Sequence, residues 1–195
     1  MNNMNNMNNI NNMNRGELDI IIGCMFSGKS TEMIRLINRY KNIKHLDLLI
    51  INHKIDNRYG ENVISSHDKL QIDCISLEKL NDIRDENIYI NADVIFIEEG
   101  QFFKDLYDFT LHSLDKMNKR MFIFGLDGDY LRNPFGDICR LIPHSENIKK
   151  LKALCIKCND GTEANFTKRI VENTNLELVG TNEYIPVCRF HYLNK

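Results

Sequence analysis

Four short stretches, at residues 18–22, 46–51, 94–97 and 121–125, are apolar at nearly every position rather than at alternate ones. Such runs are the signature of strands covered on both faces, because each side of the strand must then meet apolar neighbours. Between them the period changes. Met33, Ile34, Ile37 and Tyr40 recur at helical spacing, as do Leu106, Phe109, Leu114 and Met117. Residues 52–68 turn polar and predict an exposed loop, 72–75 predict a short strand, and Leu77, Leu80 and Ile83 suggest one side of a helix. Buried strands alternating with helices predict an α/β fold, a parallel sheet flanked by helices. After Pro134 the pattern becomes clustered cysteines, short strands and turns, with no long helix. The division predicted is therefore an α/β domain over 16–145 and a smaller unit over 146–195, with the break near 143–150. Residues 1–15 are largely a Met-Asn-Asn repeat with nothing to bury, a composition that predicts disorder.

Composition changes this picture little. The chain has 195 residues, and 43% of them are hydrophobic, enough for one core. A net charge of −2 leaves no basic excess, which argues against nucleic acid as a partner. No apolar run approaches the ~18 residues of a membrane span, and no secretory signal heads the chain. The six cysteines fall partly into short clusters of the metal-binding kind, so a reducing cytoplasmic setting is expected.

Candidate chemistry lies at three places. Gly23-Cys24-Met25-Phe26-Ser27-Gly28-Lys29-Ser30 fits G-x-x-x-x-G-K-[ST] and lies between a predicted strand and a predicted helix. The glycines let consecutive backbone N–H groups turn onto a phosphate, and the helix N-terminus adds partial positive charge. Lys29 would reach the β- and γ-phosphates of ATP, and Ser30 would bind Mg²⁺. At the end of the third buried run stand Glu98 and Glu99. Adjacent strand positions face opposite ways, so one carboxylate can turn toward Mg²⁺ and the other toward an acceptor hydroxyl. The plainer alternative is a pair of solvated carboxylates capping a strand, which the following Gly100-Gln101-Phe102-Phe103 disfavours. Finally, Cys155-x₂-Cys158 and Cys188-x₂-His191 supply four ligands for a closed, structural Zn²⁺ site. A disulfide or unrelated free thiols are the alternatives. Cys24, Cys74 and Cys139 read as small buried hydrophobes, and the other histidines as surface or loop residues.

Taken together, GCMFSGKST (23–31), EEGQFF, LDGDYLRNPFGDI and the C-x₂-C…C-x₂-H set resemble the type II thymidine kinases over about residues 16–192. The resemblance implies transfer of the γ-phosphoryl group of ATP to the 5′-hydroxyl of thymidine, with Mg²⁺. It places the general base on Glu99 and the Mg²⁺-side acid on Glu98, where the family carries the shorter Asp. It places the nucleotide on Gly23, Met25, Phe26, Ser27, Gly28, Lys29, Ser30, Thr31 and Arg58. A lasso loop spanning 167–184, tied by Zn²⁺, would enclose the nucleoside. Met25, Phe102, Leu126, Tyr130, Phe135, Thr167, Leu178 and Tyr184 fall at the family's nucleoside contacts. Tyr130 stands where Phe is commoner, Cys24 where Pro is usual, and His191 where Cys is the more frequent ligand. A homotetramer and feedback inhibition by dTTP are further implications of the resemblance.

Two other classes remain open from the residues alone. One is a zinc-bearing P-loop ATPase acting on nucleic acid or a protein partner. The other is a zinc-ribbon binding module with a decayed nucleotide site. A different acceptor is a nearer alternative; a monophosphate would call for several arginines, and residues 128–140 offer Arg132 and Arg140.

Overall fold

The computed structural model describes residues 15–56, 60, 62–65, 70–172 and 183–194; residues 1–14, Arg58 and Leu178 lie outside them. From the N-terminal side, β1 (Glu17–Gly23) leads through the glycine-rich loop into α1 (Lys29–Lys41), followed by β2 (Leu48–His53). Next come β3 (Val63–Ser65), β4 (Gln71–Asp73) and β5 (Ile75–Leu77). A 3₁₀ turn at Leu80–Ile83 precedes α2 (Asn87–Asn91), β6 (Val94–Ile97), α3 (Leu106–Asp115), β7 (Arg120–Gly125) and β8 (Asn147–Leu151). Six strands form one sheet in the order β5-β2-β6-β7-β1-β8, and all neighbours run parallel.

The apolar runs explain why both faces are covered. Ile20, Ile22, Ile95, Ile97, Met121 and Ile123 share one buried cluster with Leu106, Phe109 and Leu114 of α3. Their immediate neighbours Ile21, Val94, Phe96, Phe122 and Phe124 point the other way, into a cluster with Met33, Ile34 and Ile37 of α1. On that face Phe96 and Phe122 stack at 4.8 Å, and Tyr40 meets both rings edge-on at 5.9 and 5.3 Å. The fold is α/β, a parallel sheet between helices, as the periodicity predicts.

Four details differ from the sequence reading. The 72–75 stretch breaks at Cys74: β4 pairs with β3 in a small antiparallel ribbon, while β5 joins the large sheet beside β2. Leu77 belongs to β5, and Leu80 and Ile83 are buried on a single 3₁₀ turn rather than on a helix. Strand structure also enters the expected loop, since β2 reaches His53 and β3 buries Ile64. At the other edge, β8 has the mostly exposed sequence NIKKL, which carries no apolar run, and yet it pairs with β1 from Asn147 opposite Asp19 to Leu151 opposite Gly23.

Beyond β8 the strands are short. β9 (Ala153–Leu154) pairs with β10 (Glu163–Ala164), and β11 (Phe166–Arg169) with β12 (Tyr184–Val187), both antiparallel; α4 (Arg189–Leu193) follows. These elements enclose a small cluster of Ala153, Cys155, Ala164 and Val187, and Cys24 of the glycine-rich loop packs into it.

Candidate functional site

In an open parallel sheet, ligands gather at the carboxyl ends of the strands. Gly23 ends β1 there, Glu98 and Glu99 follow β6, and Leu126 follows β7. The glycine-rich loop turns over the start of α1. Gly28 caps the helix in the left-handed region, at φ 85°, with nothing within 4 Å of a Cβ placed on it. No side chain caps that end, so the first-turn N–H groups face outward with the helix dipole behind them. Ser27 is half-buried and Thr31 is exposed on α1. Lys29 lies back across the loop, and its Nζ donates to the carbonyls of Gly23 at 3.2 Å and Cys24 at 3.0 Å.

The two glutamates separate. Ser30 Oγ donates to Glu98 Oε1 at 2.6 Å, and Glu98 is 4% exposed. Burial, reinforced by the neighbouring Glu99 carboxylate, pushes the Glu98 carboxyl up to about 7. Its second oxygen, Oε2, is buried and has no hydrogen-bond partner among the described residues. Glu99 takes the left-handed conformation, at φ 53°, so the chain turns out of the strand here instead of continuing its pleat. Glu99 Oε2 accepts a hydrogen bond from Gln101 Nε2 at 2.6 Å. The amide of Gln101 is itself held, since its Oε1 accepts Leu126 N–H at 3.0 Å. Gly125 makes room for this: a Cβ there would lie 2.4 Å from Gln101 Oε1.

The residues expected at the nucleoside come together in pairs. Phe102 and Phe135 meet edge-on at 5.4 Å. Met25 N–H donates to Thr167 Oγ1 at 3.0 Å. Tyr130 and Tyr184 are joined through Arg169, whose guanidinium carbon lies 3.8 Å from the centre of the Tyr130 ring and which also donates to Tyr184 Oη. Leu126 connects to Glu99 through Gln101. Arg132, one of the two arginines within 128–140, stacks over Tyr192 at 4.5 Å. Arg140 pairs with Asp137.

Sequence reasoning passed over three residues here. Gln101 is 3% exposed and orients Glu99; a glutamine set between Gly100 and two phenylalanines was its signal. Arg169 joins two aromatic rings that were themselves singled out. His53 was read as a surface or loop residue, but it is 8% exposed at the end of β2, against Phe103 at 4.6 Å and Phe102 at 5.7 Å. Cys74 and Cys139 are half-buried rather than buried, while Cys24 fits the expectation of a small buried hydrophobe.

The cysteine cluster has the dimensions of a metal knot. Cys158 Sγ lies 3.7 Å from Cys188 Sγ, and His191 Nδ1 lies 3.3–3.5 Å from the three sulfurs. Tetrahedral Zn²⁺ with bonds of about 2.3 Å to sulfur and 2.0 Å to nitrogen gives edges of about 3.7 and 3.5 Å, so the set is compatible with zinc. The thiols are free, at separations far beyond the ~2.05 Å of a disulfide. The short α4 explains half of the set, because Cys188 caps it and His191 lies one turn on, facing the same way.

Comparison with known proteins shows the family. The thymidine kinase family profile matches residues 16–192. The chain is 42% identical over 178 residues to the thymidine kinase of Yaba monkey tumor virus, covering 91% of this chain and 94% of the relative. It is 41% identical over 180 residues to that of vaccinia virus (strain Western Reserve), covering 92% and 98%. To the thymidine kinase of Oryza sativa subsp. japonica it is 39% identical over 183 residues, covering 92% of this chain and 67% of the relative. The chain belongs to the thymidine kinase family.

Proposed function

We propose that this kinase transfers the γ-phosphoryl group of ATP to the 5′-hydroxyl of thymidine, with Glu99 as general base and Glu98 on the Mg²⁺ side. The observation that carries the division of roles is the opposite engagement of two adjacent carboxylates, Glu98 by Ser30 and Glu99 by Gln101. Phosphoryl transfer depends on positioning and charge neutralisation more than on covalent chemistry. The loop N–H groups and Lys29 would cradle the phosphates, Lys29 exchanging its two loop carbonyls for phosphate oxygens. Ser30 Oγ would hold the Mg²⁺ that accompanies ATP, with Glu98 behind it; the unpartnered Glu98 Oε2 fits a site made for a cation or its water. Bound there, Mg²⁺ supplies charge neutralisation on the transferring group. Glu99, fixed by Gln101, would orient the 5′-hydroxyl and take its proton. Phe102, Leu126, Tyr130, Phe135 and Tyr184 would wall the thymine, with Met25 and Thr167 beside them. The Cys155, Cys158, Cys188 and His191 set would hold Zn²⁺ as a structural clip outside the chemistry.

Family membership is what supports two further parts of the reading, a homotetramer and inhibition by dTTP. Reduced thiols suit a cytoplasmic enzyme, and among the described residues no helix is long and apolar enough to cross a membrane.

The test is phosphorylation of a nucleoside panel by ATP with and without Mg²⁺, using wild type and Glu99→Gln. Thymidine monophosphate should dominate, and Glu99→Gln should lower kcat at least about a hundredfold with little change in thymidine KM. An unchanged kcat would remove Glu99 from the base role.

A further inference from the structure

The glycine-rich loop does not hold its shape alone. Phe26, at φ 64°, occupies a left-handed conformation that bulky residues rarely keep without support from outside. The support comes from the far side of the sequence. Met25 N–H donates at 3.0 Å to the hydroxyl of Thr167, which is 6% exposed on β11. Cys24, 4% exposed, packs among Ala153, Cys155, Ala164 and Val187 and points its thiol at the Ala164 carbonyl, 3.5 Å away. Phe26 rests against the same cluster. Thr167 lies opposite Pro186 on β12, two residues before the ligand Cys188. Three consecutive loop residues are thus seated on the Cys₃His unit.

We propose that Thr167 is a positioning residue for the phosphate loop, so that the Cys₃His unit helps to set nucleotide affinity through Thr167 and Cys24. The inference rests on reading the loop as the nucleotide site and adds a second role to a residue otherwise assigned to the nucleoside. A hydroxyl that holds Met25 N–H fixes the loop before a phosphate arrives, so its loss makes the phosphate order the loop at binding.

The experiment measures the Kd of Mg²⁺-ADP by calorimetry, with no nucleoside present, for wild type, Thr167→Val and Thr167→Ser. Thermal melts check that each is folded. Valine keeps the shape and removes the hydroxyl, and serine restores it. The expected result is ADP binding weakened about three- to tenfold in Thr167→Val, the worth of one hydrogen bond, and within about twofold of wild type in Thr167→Ser. If Thr167→Val does not fold, Cys24→Ala loosens the same joint from the loop side and should weaken ADP binding by at least about twofold. Unchanged ADP affinity in the folded variant, with only thymidine KM altered, overturns the inference and leaves Thr167 to the nucleoside alone. Because ADP binding is read without a nucleoside, a loss in Thr167→Val supports the inference even where thymidine is not phosphorylated. A wild type that binds no ADP removes the loop from nucleotide binding, and the inference falls with it.

Discussion

In the large sheet, Ile20, Ile95 and Ile123 are fully buried on one face, and Phe96 and Phe124 on the other. Among its described residues, the unit that follows gathers only Ala153, Cys155, Ala164 and Val187 into a buried apolar cluster, which Cys24 of the glycine-rich loop completes; Thr167, Tyr184 and Pro186 are also buried. A cluster of that size cannot offset the conformational entropy of fixing some 30 residues by apolar burial alone. Four ligands closing on one ion can, which is why such small units depend on metal. The sheet is therefore specified by many small contributions, and the cysteine unit, with zinc bound as proposed, by a few large ones.

The largest effect should come from the ligands. Structural Zn²⁺ can contribute on the order of 10 kcal/mol or more to its own site. Cys188→Ala should reduce bound zinc from one per chain to none and open residues 153–172 and 183–194 to limited proteolysis. The parallel sheet should keep its far-ultraviolet circular dichroism. Melting of the sheet together with the knot would show that the two regions form one cooperative unit.

A sheet position gives the converse. Ile123→Ala removes a fully buried side chain from β7 and should cost about 2–5 kcal/mol of global stability while leaving the zinc content unchanged. Loss of zinc in parallel would break the comparison from the other side.

Gln101 tests the site between these extremes. Gln101→Leu keeps most of the volume but leaves Leu126 N–H and Glu99 Oε2 without this partner, a cost of about 1–3 kcal/mol. Should Glu99 be the base, kcat falls by about a factor of ten or more as the carboxylate loses its orientation, with ATP KM little affected. A variant as active as the wild type would show that Glu99 does not need this anchor.

How much of this was legible in the sequence follows the same division. Continuous apolar runs marked β1, β2, β6 and β7 because burial on both faces leaves little room for polar residues along most of their length. The edge strand β8 was not readable, since Lys149 and Lys150 serve it as well as any apolar pair when one side is solvent. The glycine-rich loop and the Cys₃His set were readable as motifs because the chemistry each motif serves fixes residue type and spacing together. What linked them was not. Met25 to Thr167 spans 142 positions and depends on a backbone N–H, which any residue but proline would supply. Gln101 and Arg169 escaped for a similar reason: their partners are set by how the chain returns.

The smallest prediction concerns that polar edge. Glu32 on α1 accepts from Arg35 Nε at 2.6 Å and from Lys149 Nζ of β8 at 2.7 Å, so it ties the edge strand to the helix. Hydrogen bonding from Arg35, aided by Lys149, holds its carboxyl down at about 2, against 4.5 when free. A carboxyl lowered on folding stabilises the protein above its unfolded value, and that stabilisation fades as pH falls from about 4.5 through about 2. The pair faces solvent, so its worth should be below about 1 kcal/mol. Glu32→Gln should lower Tm by a few degrees at most, equally at about pH 7 and pH 5, with the gap closing below about pH 4 and in molar salt. A gap that stayed constant down to about pH 3 would mean that the charge of Glu32 is not what holds β8 against α1, since glutamine keeps the same stem and differs only in its uncharged terminal group.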